Sequence, residues 1–224
     1  ICFGMAALDT FIDDRLAAGR GWFSRDEAVA SGIALSTLSP ALTRAVAKGK
    51  LASPRHGFYL IVRPEHRAAG AADPAEWIDP LMKHQGLGYR VSLLRAAAHH
   101  GSSHQAAMIF QVVAPRQLRN LTLGAHRLQF IYQEPEAFAA CNEAALVGTI
   151  KTPAGFAVVA GVELTLLDCV RYMHRAGGLG SMALTWTMAS EAVAKVRKLK
   201  ARAGNRFFVN YVLRFEPHSL DAVL

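Results

Sequence analysis

The sequence predicts an α+β protein in which three short helices and a β-hairpin precede a larger part of mixed helices and strands. Three observations predict it. Apolar residues recur at helical spacing in three stretches before residue 50, and the hairpin-like segment LASPRHGFYLIV follows at once. Beyond residue 75, helical stretches alternate with short apolar runs of strand length.

Taken in order, ALDTFIDDRLAAG (7–19) places Leu8, Phe11, Ile12 and Leu16 at a helical period, and Gly19 and Gly21 stop it. Ser24 with Glu27 three residues on forms a capping box, and Phe23 just before it can staple onto Ala28. A short second helix over 25–31 therefore ends at Gly32. The third begins near Ser36, with Leu38, Leu42, Ala45 and Val46 as its core stripe and Gly49 as its C-cap. In the hairpin, Pro54 and Gly57 bracket a tight turn. Three helices followed by a hairpin is the order of a winged helix-turn-helix.

Residues 1–67 are assigned to that domain, 68–75 to an Ala-, Gly- and Pro-rich linker, and 76–224 to the larger C-terminal α+β domain. Within the latter, WIDPLMKHQG and YRVSLLRAAAHHG read as helices. Residues 109–115, 126–133 and 155–162 read as strands, and 163–178 as a helix ending at Gly177.

A chain of 224 residues with 52% hydrophobic and 19% charged residues is globular in composition and can bury a core. No apolar run has the length of a membrane span, and ICFGMAALDTF lacks the basic-then-apolar pattern of a secretory signal. Cys2, Cys141 and Cys169 are widely spaced, without a CxxC pair. That argues against a disulfide framework or zinc knuckle and sets the expectation of a reducing cytoplasm.

The net charge is +8, with a pI near 9.8, which favours a polyanionic partner. The charge sits in two blocks. Arg44, Lys48, Lys50, Arg55, Arg63 and Arg67 face only Glu65 over 36–67, a balance of 6 − 1 = +5. Residues 191–206 carry a second block of the same balance.

In a helix-turn-helix the third helix lies in the major groove, so its outer face must be short and polar for the backbone to approach base edges. Ser36, Thr37, Ser39 and Thr43 supply hydroxyls there. Arg44 can grip guanine with two hydrogen bonds, and Lys48 suits a phosphate. Arg55 and His56 would sit at the wing tip, against the backbone or minor groove. Lys195, Lys198 and Arg202 share one face of a basic amphipathic stretch, a candidate second nucleic-acid contact that could extend the DNA footprint or touch RNA. A solvated helix face with an ordinary hairpin, or a winged module that binds protein, is the plainer alternative.

Other clusters carry less. His100 and His104 stand at metal-ligand spacing beside His99, but Gly101 interrupts the helix and no Cys or carboxylate is near, so a hydrogen-bonding helix end is the preferred reading. Asp168 and Arg171 read as a surface pair, and Glu163 as a carboxylate near a helix start. No phosphate-cradling glycine loop and no nucleophile with a partner is evident. The expectation is a non-enzyme without cofactor or metal, its enzymatic rival being a nucleotidyltransferase.

With these residues in view, the chain resembles the AbiEi family of antitoxins and transcriptional regulators of type IV, abortive-infection toxin–antitoxin systems. The resemblance rests on FSRDEAVASGIALSTLSPALTRAVAKGKL and RHGFYLI, then WIDPLMKHQGLGYRVSLLRAAAHHGSSHQ, then FQVVAPRQLRNLTLGAHRLQFIY, and finally TPAGFAVVAGVELTLLDCVRYMHRAGGL. Trp77 to Tyr132 is its most specific part. The resemblance implies a winged domain that represses its own operon on inverted repeats. It also implies a C-terminal domain that counters a nucleotidyltransferase toxin without forming a stable complex. After about Gly180 the sequence departs from the family pattern; NRFFVNYVLRFEP alone resembles a closing strand.

Overall fold

The structure is a computed structural model that describes residues 3–101, 108–152 and 155–176. These residues group into two compact units. Of the described residues, the first takes in those within 3–88, 119–129 and 151–157, and the second those within 89–118, 130–150 and 158–176.

In the first unit α1 spans Phe3–Ala17, and it buries Leu8, Phe11 and Ile12 at i, i+3 and i+4. Strand β1 (Trp22–Ser24) leads into α2 (Arg25–Ala30), and α3 (Leu35–Ala47) follows a four-residue connection. Strands β2 (Leu51–Arg55) and β3 (Phe58–Ile61) form the hairpin, and β1 joins it to give the antiparallel order β1-β3-β2. Three-residue β1 has no alternating pattern long enough to announce itself in the sequence. Phe23 nevertheless centres the core, edge-on to Phe11 at 5.2 Å and packed with Leu38 and Leu42.

Two sequence expectations need correction here. Val46 is 37% exposed, and Ala41 takes the core position with Leu38, Leu42 and Ala45. Those four follow i, i+3, i+4, i+7, and one residue further rotates Val46 to the edge. Pro54 does not bracket the turn; it lies inside β2, and His56 and Gly57 are the turn residues. The ladder shifts register between Ala52 and Arg55, and such an irregularity tolerates a residue with no N–H to donate.

The first unit continues through a 3-10 turn at Pro64–His66 to α4 (Pro74–His84). Between them the 68–75 stretch is packed: Ala71 is buried, and the Trp77 indole donates to the Ala72 carbonyl at 3.0 Å. Asp73 caps α4 by accepting from the Ala75 N–H at 2.8 Å. A hairpin of β6 (Leu121–Leu123) and β7 (His126–Tyr132) turns at Gly124, whose α-carbon abuts the Ala69–Gly70 backbone so closely that any Cβ would clash.

In the second unit β5 (Ile109–Ala114) lies between the end of β7 and the short β4 (Arg90–Val91), with β9 (Gly155–Ala160) beyond β4 and β8 (Val147–Thr152) outermost. Strand β4 runs antiparallel to β5 and parallel to β9. Helix α5 (Leu93–His99) packs on α7 (Val162–Arg171), and α6 (Pro135–Cys141) supplies Phe138 to the same core. YRVSLLRAAAHHG is thus a strand followed by a helix. Extended Ser92 separates the two, and Leu93 opens the helix at φ +52°. Helix α7 ends at Arg171, short of the expected Gly177, because Tyr172 leaves helical geometry at ψ 39°.

The larger correction concerns Asp168. It is not half of a surface pair: it is fully buried, held by Arg90 through Nε and an η nitrogen, each at 3.1 Å, and by the Ser92 hydroxyl at 2.5 Å. Arg90 is equally buried and also donates to Gln133 Oε1 at 2.7 Å. Burial pushes the thiols of Cys141 and Cys169 up to about 11 and about 12, so both are inert neutral side chains.

Candidate nucleic-acid interface

The capping box that the sequence announces fixes where α2 starts. Ser24 Oγ accepts from the Glu27 N–H at 3.1 Å, and the Glu27 carboxylate accepts from the Ser24 N–H at 2.8 Å. Burial pushes the Glu27 carboxyl up, but the Ser24 N–H and the Arg20 guanidinium outweigh it and leave it below its ordinary value. Gly32, at φ +95°, then turns the chain where other residues would be strained, and buried Ile33 anchors the turn. Helix α3 starts from extended Ala34, one residue earlier than expected.

The core stripe of α3 leaves the opposite face outward. Ser36, Thr37, Thr43 and Lys48 are exposed, and Ser39 and Arg44 are half-buried along the two edges. The hydroxyls are less available than their sequence suggests. Thr37 donates to the Ala34 carbonyl at 2.9 Å, Ser39 to that of Leu35 at 3.2 Å, and Thr43 to that of Ser39 at 3.1 Å. Ser39 also accepts from Arg25 at 2.6 Å, so it is committed on both sides. Arg44 donates from Nε to the Pro40 carbonyl at 3.0 Å, which fixes the side chain and leaves both η nitrogens without a partner among the described residues.

Some candidates are visible only in the fold. Arg25 opens α2 and reaches across to α3, and Leu35 stands 54% exposed at the first turn of α3. At the wing, Arg55 donates to the Arg119 carbonyl, and its guanidinium is pushed below its ordinary value by burial and then by the Arg119 charge. The Arg119 charge is thus close enough for Arg55 to feel it, and two neighbouring cations suit an anion. His56 is exposed at the turn, and its carbonyl lies 3.3 Å from His84 Nε2. No local pattern could have found Arg119, 64 residues away from Arg55.

The cleft beside this surface has the wrong charge for phosphate. About 430 Å³ in volume, it is lined by Trp22, Glu27, Phe58, Glu76, Asp79 and Phe156 among others, with Asp79 paired to Lys83 at 2.8 Å. His100 closes α5 and lies 2.7 Å from the Ala160 carbonyl, and no group of three potential metal ligands occurs among the described residues. His104, Lys195, Lys198 and Arg202 lie outside the described residues. Among the described residues, no helix is long and apolar enough to cross a membrane.

A capped helix, a glycine turn, an outward second helix and a paired hairpin define a winged helix-turn-helix, a fold that many DNA-binding regulators use. The chain belongs to the AbiEi antitoxin family: residues 90–207 match the AbiEi antitoxin C-terminal domain, and residues 11–62 match the family described as transcriptional regulator, AbiEi antitoxin. The first match runs past Gly180, where the resemblance read from the sequence departs. A comparison with curated proteins finds no match.

Proposed function

We propose that the chain represses its own operon by binding operator DNA, on inverted repeats, through α3 and the wing. In this reading residues 1–67 carry the DNA contact, with Arg44 on guanine, Lys48 on phosphate, Ser36, Thr37, Ser39 and Thr43 along the groove, and Arg55 and His56 at the wing tip. The C-terminal domain counters a nucleotidyltransferase toxin without a stable complex, the protein acts in the cytoplasm, and it catalyses no reaction itself. One observation carries the DNA assignment: Arg44 is fixed at Nε on the Pro40 carbonyl and keeps both η nitrogens uncommitted among the described residues, the geometry that two-point recognition of guanine needs.

The test selects binding sites from a random duplex pool and measures affinity for the winner across a salt series. An enriched site, weakened by Arg44→Ala and bound with a steep salt slope, supports the reading. Equal affinity for all duplexes would replace it with a non-specific or RNA-directed surface, for which the basic block at 191–206 is the specific reason.

A further inference from the structure

The outward centre of α3 is formed by Ser36, Pro40, Thr43 and Ala47, which follow i, i+4, i+7 and i+11 opposite the core stripe. All four are exposed. Pro40 has no N–H and presents only its ring; Ala47 presents only a methyl. The Thr43 hydroxyl proton is committed to the Ser39 carbonyl, so the groove meets its γ-methyl and an acceptor lone pair. Thr37, on the Arg44 edge, is committed in the same way to Ala34. Among the described residues, the hydrogen-bond donors left over along this face are the Ser36 hydroxyl, the η nitrogens of Arg44 at its edge and the exposed Lys48 ammonium just past its end.

A face so short of donors can engage few of the groove's acceptors by hydrogen bonds. It can read the one apolar group that the major groove displays, the C5-methyl of thymine. We propose that the α3 centre, Pro40, Thr43 and Ala47, recognises thymine methyls, with Arg44 reading a guanine at its edge. The inference rests on the reading of α3 as a major-groove helix and specifies what it selects there. Pro40 is central to it. Its place inside the helix deprives the Ser36 carbonyl of its helical donor, a cost that an otherwise idle surface position would not carry.

The experiment uses the full chain and the duplex that it selects. Each thymine of that duplex is replaced in turn by deoxyuridine, which removes the methyl and keeps every base-pair hydrogen bond. The expected result is a loss of about fourfold at each thymine whose methyl is buried, as one methyl withdrawn from water is worth. Pro40→Ala, which restores a helical N–H and is not expected to unfold the helix, should shrink the thymine-to-uracil ratio at one position. A selected site with no thymine under α3, or one in which every uracil is neutral, overturns the inference and leaves sequence-specific binding standing. A thymine-to-uracil ratio unchanged by Pro40→Ala overturns the assignment to this face. Failure to select any sequence overturns both the inference and the DNA reading beneath it.

Discussion

Arg44 on α3 and Arg90 on β4 are the same residue type in opposite circumstances. Arg90 is wholly enclosed, and Asp168 and Gln133 accept from its Nε and one η nitrogen while Ser92 braces the aspartate. Arg44 is fixed by a single bond from Nε to its own helix, with the rest of the guanidinium held back from any internal partner among the described residues. The contrast separates an arginine that holds a fold together from one that, in the proposed reading, serves recognition. A buried charge needs an opposite charge beside it, whereas a recognition residue needs its side chain oriented and its donors spare.

Substitutions at each end should therefore fail differently. Asp168→Ala leaves Arg90 buried without its carboxylate and should cost about 3–5 kcal/mol in urea unfolding of the full chain. A cost below about 1 kcal/mol would mean that water reaches Arg90 and that the network is not a structural keystone. Arg44→Ala should do the reverse: stability within about 0.5 kcal/mol of the parent, but affinity for the selected duplex lower by about 1–3 kcal/mol. Loss of both together would erase the distinction between the two arginines.

A smaller effect tests how α2 is set in place. Ser24→Ala removes the acceptor for the Glu27 N–H and should cost about 1 kcal/mol in the same unfolding assay. The Glu27 carboxyl, held below its ordinary value of 4.5 by the Ser24 N–H and Arg20 against the opposing effect of burial, contributes stability that is complete above that value. That contribution is lost as pH falls through the lower folded value, so Glu27→Gln should flatten the acid limb of stability against pH. The smallest effect is at the wing. Arg119→Ala should reduce the salt slope of duplex binding by about 1 without altering the selected sequence; an altered sequence would place Arg119 on bases instead of phosphate.

The helix-turn-helix was legible in the sequence because its signals are local. The Ser24–Glu27 box, the glycine turn at Gly32 and the left-handed Gly49 at the end of α3 each act within a few residues of one another. What the sequence hid was non-local. Asp168 and Arg171 share a helix and so resemble a pair, but the true partner of Asp168 lies 78 residues upstream. Arg119 enters the wing from a distant loop, and β1, β6, α6 and β8 are too short or too weakly patterned to stand out. The α3 hydroxyls were found as residues but not as hydrogen-bond states. Whether a serine offers its proton outward depends on which carbonyl lies one turn back.

The central claim is that α3 carries a fixed arginine for reading DNA, and the most direct measurement compares parent and Arg44→Ala on the selected duplex and on a scrambled duplex at matched salt. The account predicts that the parent prefers the selected duplex, that Arg44→Ala loses most of that preference, and that binding to the scrambled duplex changes little. Equal losses on both duplexes would contradict it, making Arg44 one more backbone charge and placing sequence recognition elsewhere in the chain.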